Sequence, residues 1–169
     1  MNLRYIIHEL DRNKMVFNSL FENLEKQLYL WKPAPDKWCL LEIICHLYDE
    51  EREDFRARVK QTLENPEKYM PPIDPAGWVT ERKYIEQDYS LVLQNFLLER
   101  FYSVEWLNQL KDAQWNNSYN HPQLGIITAE KFLSNWLAHD YLHVRQIART
   151  KYLYLENLTK QDLSYAGKW

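Results

Sequence analysis

Leu3, Ile6, Ile7, Leu10, Met15, Phe17, Leu20, Phe21, Leu24 and Leu28 recur at helical spacing and predict a first amphipathic helix over about residues 2–30. Pro33 and Pro35 close it, because neither can continue the backbone ladder. Leu40, Ile44, Leu47, Glu51 and Phe55 mark the facing stripe of a second helix, about 37–64, with Asp36 as its N-cap. Tyr84, Tyr89, Val92, Leu93, Phe96, Leu97, Phe101, Val104 and Leu107 outline a third, about 80–110. A fourth starts near Ile126 or Thr128 and reaches about 157, burying Leu133, Trp136, Leu137, Val144, Ile147, Tyr154, Leu155 and Leu158. Between the second and third lies a segment, 65–78, with Pro66, Pro71, Pro72, Pro75 and Gly77, too rich in proline for another helix. Its length suits a pocket cover, with Tyr69, Met70 and Trp78 either lining the pocket or closing the end of the core. Residues 111–124 form a polar connection, and 160–169 a tail whose Trp169 could dock on the body or on a partner. The pattern predicts one all-α domain over 1–169, a four-helix bundle with a long connection between helices 2 and 3.

Composition supports this. Only Gly77, Gly125 and Gly167 dilute 169 residues rich in helix formers. A chain of this size buries about two-thirds of its unfolded surface without disulfides or a structural metal, so a bound ion would serve chemistry. The net charge of −3, with basic residues interleaved among acids, gives no reason to expect nucleic-acid binding. No apolar span is long enough for a membrane, and the first residues already read as helix, so neither anchor nor secretion signal is expected and the cytoplasm is the default. Cys39 and Cys45 stand roughly 9 Å apart along one helix axis, which forbids an ordinary disulfide, and free thiols suit a reducing compartment. Seven tryptophans and twelve tyrosines supply material for an interface, and a homodimer is compatible with amphipathic helices.

The chemistry centres on residues 136–147, WLAHDYLHVRQI. His139 and His143 lie on nearly the same side of a helix, roughly 6 Å apart along its axis, where two neutral imidazoles can grip one divalent cation. A reactive site usually needs a third protein ligand, here His8, His46 or His121. His8, beside Glu9 and Asp11, reads as a surface residue, and His121, held extended by Pro122, as a turn or pocket residue. His46 stands at the border of the second helix's apolar stripe, where it is either a ligand reaching between helices or a hydrogen-bonded boundary histidine. Glu50, one turn on, is the candidate general base. Asp140 shares the packed face with Trp136, Val144 and Ile147, so it needs a basic partner or a histidine to orient. Glu99 and Arg100 read as a solvated charged edge, and Cys45 as packing.

The segment Trp31-Lys-Pro, Trp38 leading into LLEIICHLYDEERE, and HDYLHVRQI together resemble the DinB/YfiT-like family of metal-binding four-helix bundles, over essentially the whole chain. The resemblance implies a divalent cation held by His46, His139 and His143. Many members read HxxHHxGQ in the last helix, whereas this chain has Leu142 before His143 and Val144, Arg145 and Gln146 after it. Arg145 thus replaces a small residue.

Three imidazoles suit zinc or nickel and leave a coordination position open. Such an ion could activate water, polarise a carbonyl or hold a thiolate. The resembled family includes thiol-dependent S-transferases and a thiol-dependent isomerase. The expectation is therefore transfer of a low-molecular-weight thiol to a small electrophile, with a metal-dependent hydrolase as the enzymatic rival. A noncatalytic metal-binding or protein-interaction bundle is the alternative of a different class.

Overall fold

The computed structural model describes residues 3–167, so Trp169 and the first residue of the expected opening helix lie outside it. Its long helices are α1 (Leu3–Phe21), a composite of α3 (Leu40–Asp49) and α4 (Arg56–Glu64), α6 (Tyr89–Gln109) and α7 (Ala129–Thr159). α1 packs on α6 and α7, α3 on α6, and α4 on α7, which is the expected all-α bundle. Among the described residues no helix is long and apolar enough to cross a membrane.

The helix boundaries move where local chemistry outweighs periodicity. α1 stops at Phe21 and not near residue 30, because Asn23 takes a left-handed backbone (φ 56°) that ends a helix. The apolar pattern continues through the short α2 (Lys26–Tyr29), whose Leu28 and Tyr29 still reach the core. α3 begins at Leu40, and Asp36 is not its cap: that carboxylate is exposed and pairs with Lys37. The entry is held instead by Glu42, which accepts from the Cys39 amide at 2.9 Å and from Lys32 Nζ at 2.7 Å.

The proline-rich connection hides a helix, α5 (Pro75–Glu81). Asp74 caps it by accepting from Gly77 N at 2.9 Å, and Pro75 sits at the first position, where its missing amide costs nothing. Of the three residues expected to line or close this region, Trp78 and Met70 are buried in the core, while Tyr69 is exposed. Lys83 (φ 49°) and a short 3₁₀ turn, Tyr84–Glu86, then separate α5 from α6, so the expected third helix starts at Tyr89 under an Asp88 cap. The polar connection before α7 contains an antiparallel hairpin, β1 (Ser118–His121) with β2 (Gly125–Thr128), pairing Tyr119 with Ile127. Both of those side chains are buried against the bundle, and Gly125 (φ +69°) supplies the turn conformation that other residues resist. Thr128 then caps α7 through the Lys131 amide.

Between α3 and α4 the helix widens into a π-helical turn, Glu50–Phe55. Such turns are rare and frequent at functional sites. Here the turn buries the neighbours Glu50 and Glu51 together. Glu51 meets Arg100, which lies at 1% exposure in the middle of the molecule and is no solvated edge. The Arg100 guanidinium stands near Phe17 and Phe96 of one apolar cluster and Trp136 of the other, so the two halves of the core meet around a charge. Its two carboxylate partners are Glu51, at 2.9 Å twice, and Asp140, at 2.7 Å twice. Asn13 donates to Asp140 and Trp136 Nε1 to Glu51, both at 3.0 Å. Asp140 thus has the basic partner that its place on the packed face requires. Glu99, by contrast, is half-buried and pairs with Arg56.

Candidate metal centre

His46 reaches across from α3 to the pair on α7. Its Nε2 lies 3.2 Å from His139 Nε2, and His143 Nε2 lies 3.0 Å from the same atom. One nitrogen from each ring falls within 4.8 Å of the others. Two nitrogens bound tetrahedrally at zinc-like lengths would be about 3.3 Å apart, and both contacts of His139 Nε2 are close to that spacing. Trp38 packs on the His46 ring at 4.9 Å and Phe55 on the His139 ring at 4.9 Å, which fixes both planes.

Burial keeps all three rings neutral. Desolvation, with the neighbouring imidazoles adding to it at His46 and His139, pushes His46 down to about 3 and His139 to about 2. His143 falls to about 4, with Gln146 opposing the shift. Neutral rings with converging Nε2 lone pairs repel unless a proton or a cation stands between them. Among the described residues the Nδ1 atoms of His46 and His143 are buried without hydrogen-bond partners, and with Nε2 turned to an ion each would carry its ring's proton. The donor set therefore fits a divalent ion and can coordinate one.

Glu50 is buried on the same helical segment, one turn past His46, and its Oε1 has no hydrogen-bond partner. Burial first, and then the Asp54 carboxylate beside it, hold its carboxyl well above the usual range. Asp54 is likewise raised by burial, against the pull of Arg58, with which it is paired. The two acids form one coupled pair that favours sharing a proton. Asp54 in turn lines a hollow of about 570 Å³ whose wall includes His139, with Phe55, Leu124, Ile127 and Phe132 as its apolar surface.

His121 also borders this hollow, outside the histidine cluster. Its Nδ1 accepts from the amides of Gln123 and Leu124 at 3.2 Å each, so it shapes the hairpin turn and contributes to the pocket wall. His8 is exposed and outside the cluster. Cys39 and Cys45 are free and buried, and burial pushes their thiols up to about 11 and about 12, which removes both as nucleophiles. Periodicity missed Asp54, Arg58 and the buried partners of Asp140. The signal available for the last was Asp140 itself, whose apolar surroundings demand a cation.

An all-α bundle carrying three convergent histidines on its second and last long helices defines a class of candidate metalloprotein. The chain belongs to the DinB superfamily, whose family model matches residues 9–147. It is similar in structure to YfiT from Bacillus subtilis, described as a probable metal-dependent hydrolase with an unusual four-helix bundle topology. That likeness has a TM-score of 0.78 at 19% identity and covers 95% of this chain and 89% of the other, and it concerns the fold. No curated protein matches the sequence.

Proposed function

We propose that the protein is a metal-dependent hydrolase, its ion held by His46, His139 and His143. The observation that carries this reading is the juxtaposition of three neutral, convergent imidazoles with the buried Glu50–Asp54 pair, which opens through Asp54 onto a hollow that His139 also lines. The similarity to YfiT, itself described as a probable metal-dependent hydrolase, points the same way. A divalent ion at such a site supplies Lewis acidity, which acidifies water and polarises a carbonyl.

The chain's own residues do the rest. The hollow holds the acyl side of the substrate against Phe55 and Phe132. Glu50, in its ionised form, takes the proton from the attacking water, and Asp54 and Arg58 set how readily that form is reached. Water oxygen bonds to the acyl carbon, the bond to the leaving atom breaks, and the leaving atom receives the proton. A carboxyl with a raised pKa is suited to both halves of this traffic at neutral pH. Hydrolysis is the better supported of the two enzymatic readings, because it gives the buried pair a defined task and agrees with the description of the structural neighbour. Zinc or nickel as the ion, a cytoplasmic setting and a homodimer belong to the same proposal; light scattering checks the last.

The test is turnover of a panel of small esters and amides in ¹⁸O-water by the metal-loaded protein, followed by mass spectrometry, with low-molecular-weight thiols added in parallel. Hydrolysis places the label in the acid product, and Glu50→Gln lowers the rate on the order of 10²-fold while metal content is kept. A product that requires the thiol and carries no label would replace hydrolysis by transfer.

A further inference from the structure

The inference names a substrate class for the same site and rests on the hydrolytic reading. The α7 surface borders two hollows. One is the apolar space already described, with His139 in its wall. The other, about 500 Å³, is bordered among the described residues by Leu142, His143, Arg145, Gln146 and Arg149. Leu142 belongs to both, and the His139 and His143 rings that face them are only 4.3 Å apart. The histidine cluster is therefore the junction of an apolar space and a basic one.

Arg145 and Arg149 stand one turn apart on one helix face, where two guanidinium groups can converge on one anion. Among the described residues they differ from most of the other arginines in ion pairing. Arg52, Arg56, Arg58, Arg82 and Arg100 each carry a carboxylate, in a chain with more acids than bases. Among the described residues Arg145 and Arg149 carry none, although both line the space beside a buried histidine of the cluster. Both arginines are exposed, so they meet the hollow from its solvent side. His143 and the two arginines lie two and six residues apart, about 3 and 9 Å along the axis. Helix rotation sets Arg145 and Arg149 about 160° and 120° around the axis from His143, so the shared hollow, and not the axial spacing, is what joins them to the cluster.

We propose that the substrate is an acid with two ends: an apolar acyl or aryl group in the hollow beside His139, the scissile ester or amide at the cluster, and a carboxylate on the leaving side held by Arg145 and Arg149. An N-acyl amino acid is the simplest such molecule. Its hydrolysis consumes one water and releases the apolar acid and an amino acid whose carboxylate still lies on the arginines.

Calorimetric binding of N-benzoylglycine and of its neutral counterpart, N-benzoylglycinamide, tests this without requiring turnover. Wild-type protein, metal-loaded and metal-free, is expected to bind the carboxylate at least about tenfold tighter, with the preference falling as salt rises. In R145Q/R149Q, with metal content unchanged, the preference drops below about twofold, and R145K/R149K retains part of it. Equal affinity for the two probes in wild type, a preference surviving in R145Q/R149Q, or one that vanishes when metal is removed would overturn the proposal. The two readings fail separately. Cleavage of neutral esters with no carboxylate preference removes the anion subsite and leaves hydrolysis standing; a carboxylate preference with no water-dependent cleavage does the reverse.

Discussion

Arg100→Met takes the cation out of the core while keeping an unbranched side chain of similar length. Arg100 makes four bonds to Glu51 and Asp140 at 2.7–2.9 Å and one to the Leu10 carbonyl at 3.2 Å, and all three charged side chains are at most 1% exposed. The substitution leaves two carboxylates with only the Asn13 amide and the Trp136 indole as neutral donors. Breaking one buried pair from one side costs on the order of 3–5 kcal/mol, and two carboxylates lose their partner here, so the upper part of that range is expected at pH 7. Against a total stability of about 5–15 kcal/mol, the loss is a large fraction. Urea unfolding of metal-free wild type and variant at pH 7 measures the difference. Adding Asp140→Asn to the variant should recover part of the loss, because it removes one of the two stranded charges. A deficit under about 1 kcal/mol would refute the account of Arg100 as the charge that the core is built around.

His46, His139 and His143 are depressed to about 3, 2 and 4 from 6.5, so the folded metal-free protein binds fewer protons than the unfolded chain below pH 6.5. Its stability is full above that pH and falls as pH drops toward 4, a loss that should be shallower in His143→Gln; identical urea midpoints for both proteins at pH 5 and 7 would contradict it. Glu50 works in the opposite direction: raised to about 8 from 4.5, it favours the folded state at low pH and loses that contribution as pH rises through this window. Glu50→Gln in metal-free protein should thus gain on the order of 1–3 kcal/mol over wild type at pH 9, measured by the same unfolding curves, and an unchanged midpoint would remove the buried carboxyl pair. Gly125→Ala, at φ +69°, should lower stability by about 1 kcal/mol in a thermal melt while leaving metal content unaltered, since the hairpin supplies none of the three histidines.

The sequence conveys what one helix can say about its own faces. Spacing alone places His139 and His143 together and puts Asp140 on the packed side of α7, and both are where the fold has them. It also brings Glu51 onto the inward stripe of the second helix. What periodicity cannot convey is which distant charge answers an inward-facing one. Arg100 stands 49 residues from Glu51 and 40 from Asp140 in the chain; its spacing of four from Phe96 and from Val104 puts it on the buried stripe of α6 but does not say which carboxylates meet it there. Local stops are lost for a different reason. Asn23 and Lys83 interrupt helices through a left-handed backbone inside otherwise periodic stretches, while Asp74-Pro75 starts a helix where a count of prolines argues against one. The hairpin escapes notice because only Tyr119 and Ile127, one buried residue per strand, alternate with polar or exposed neighbours.

The π-helical turn explains why one short segment can serve both the core and the site. In a regular α-helix, neighbours such as Glu50 and Glu51 diverge by about 100°, so burying one tends to turn the other toward the edge of the packed face. Widening the turn over Glu50–Phe55 lets Glu51 meet Arg100 and Trp136 while Glu50 meets Asp54, and both carboxyls stay out of water. Their fates differ because of what each faces. Glu51 has a guanidinium at 2.9 Å and anchors the bundle; Glu50 has another acid beside it and an oxygen left without a partner. The first arrangement favours a fixed charge, the second a proton held loosely near neutral pH. With the histidine of α3 one turn earlier, one short segment thus carries a ligand candidate, a carboxyl for the site and an anchor for the core.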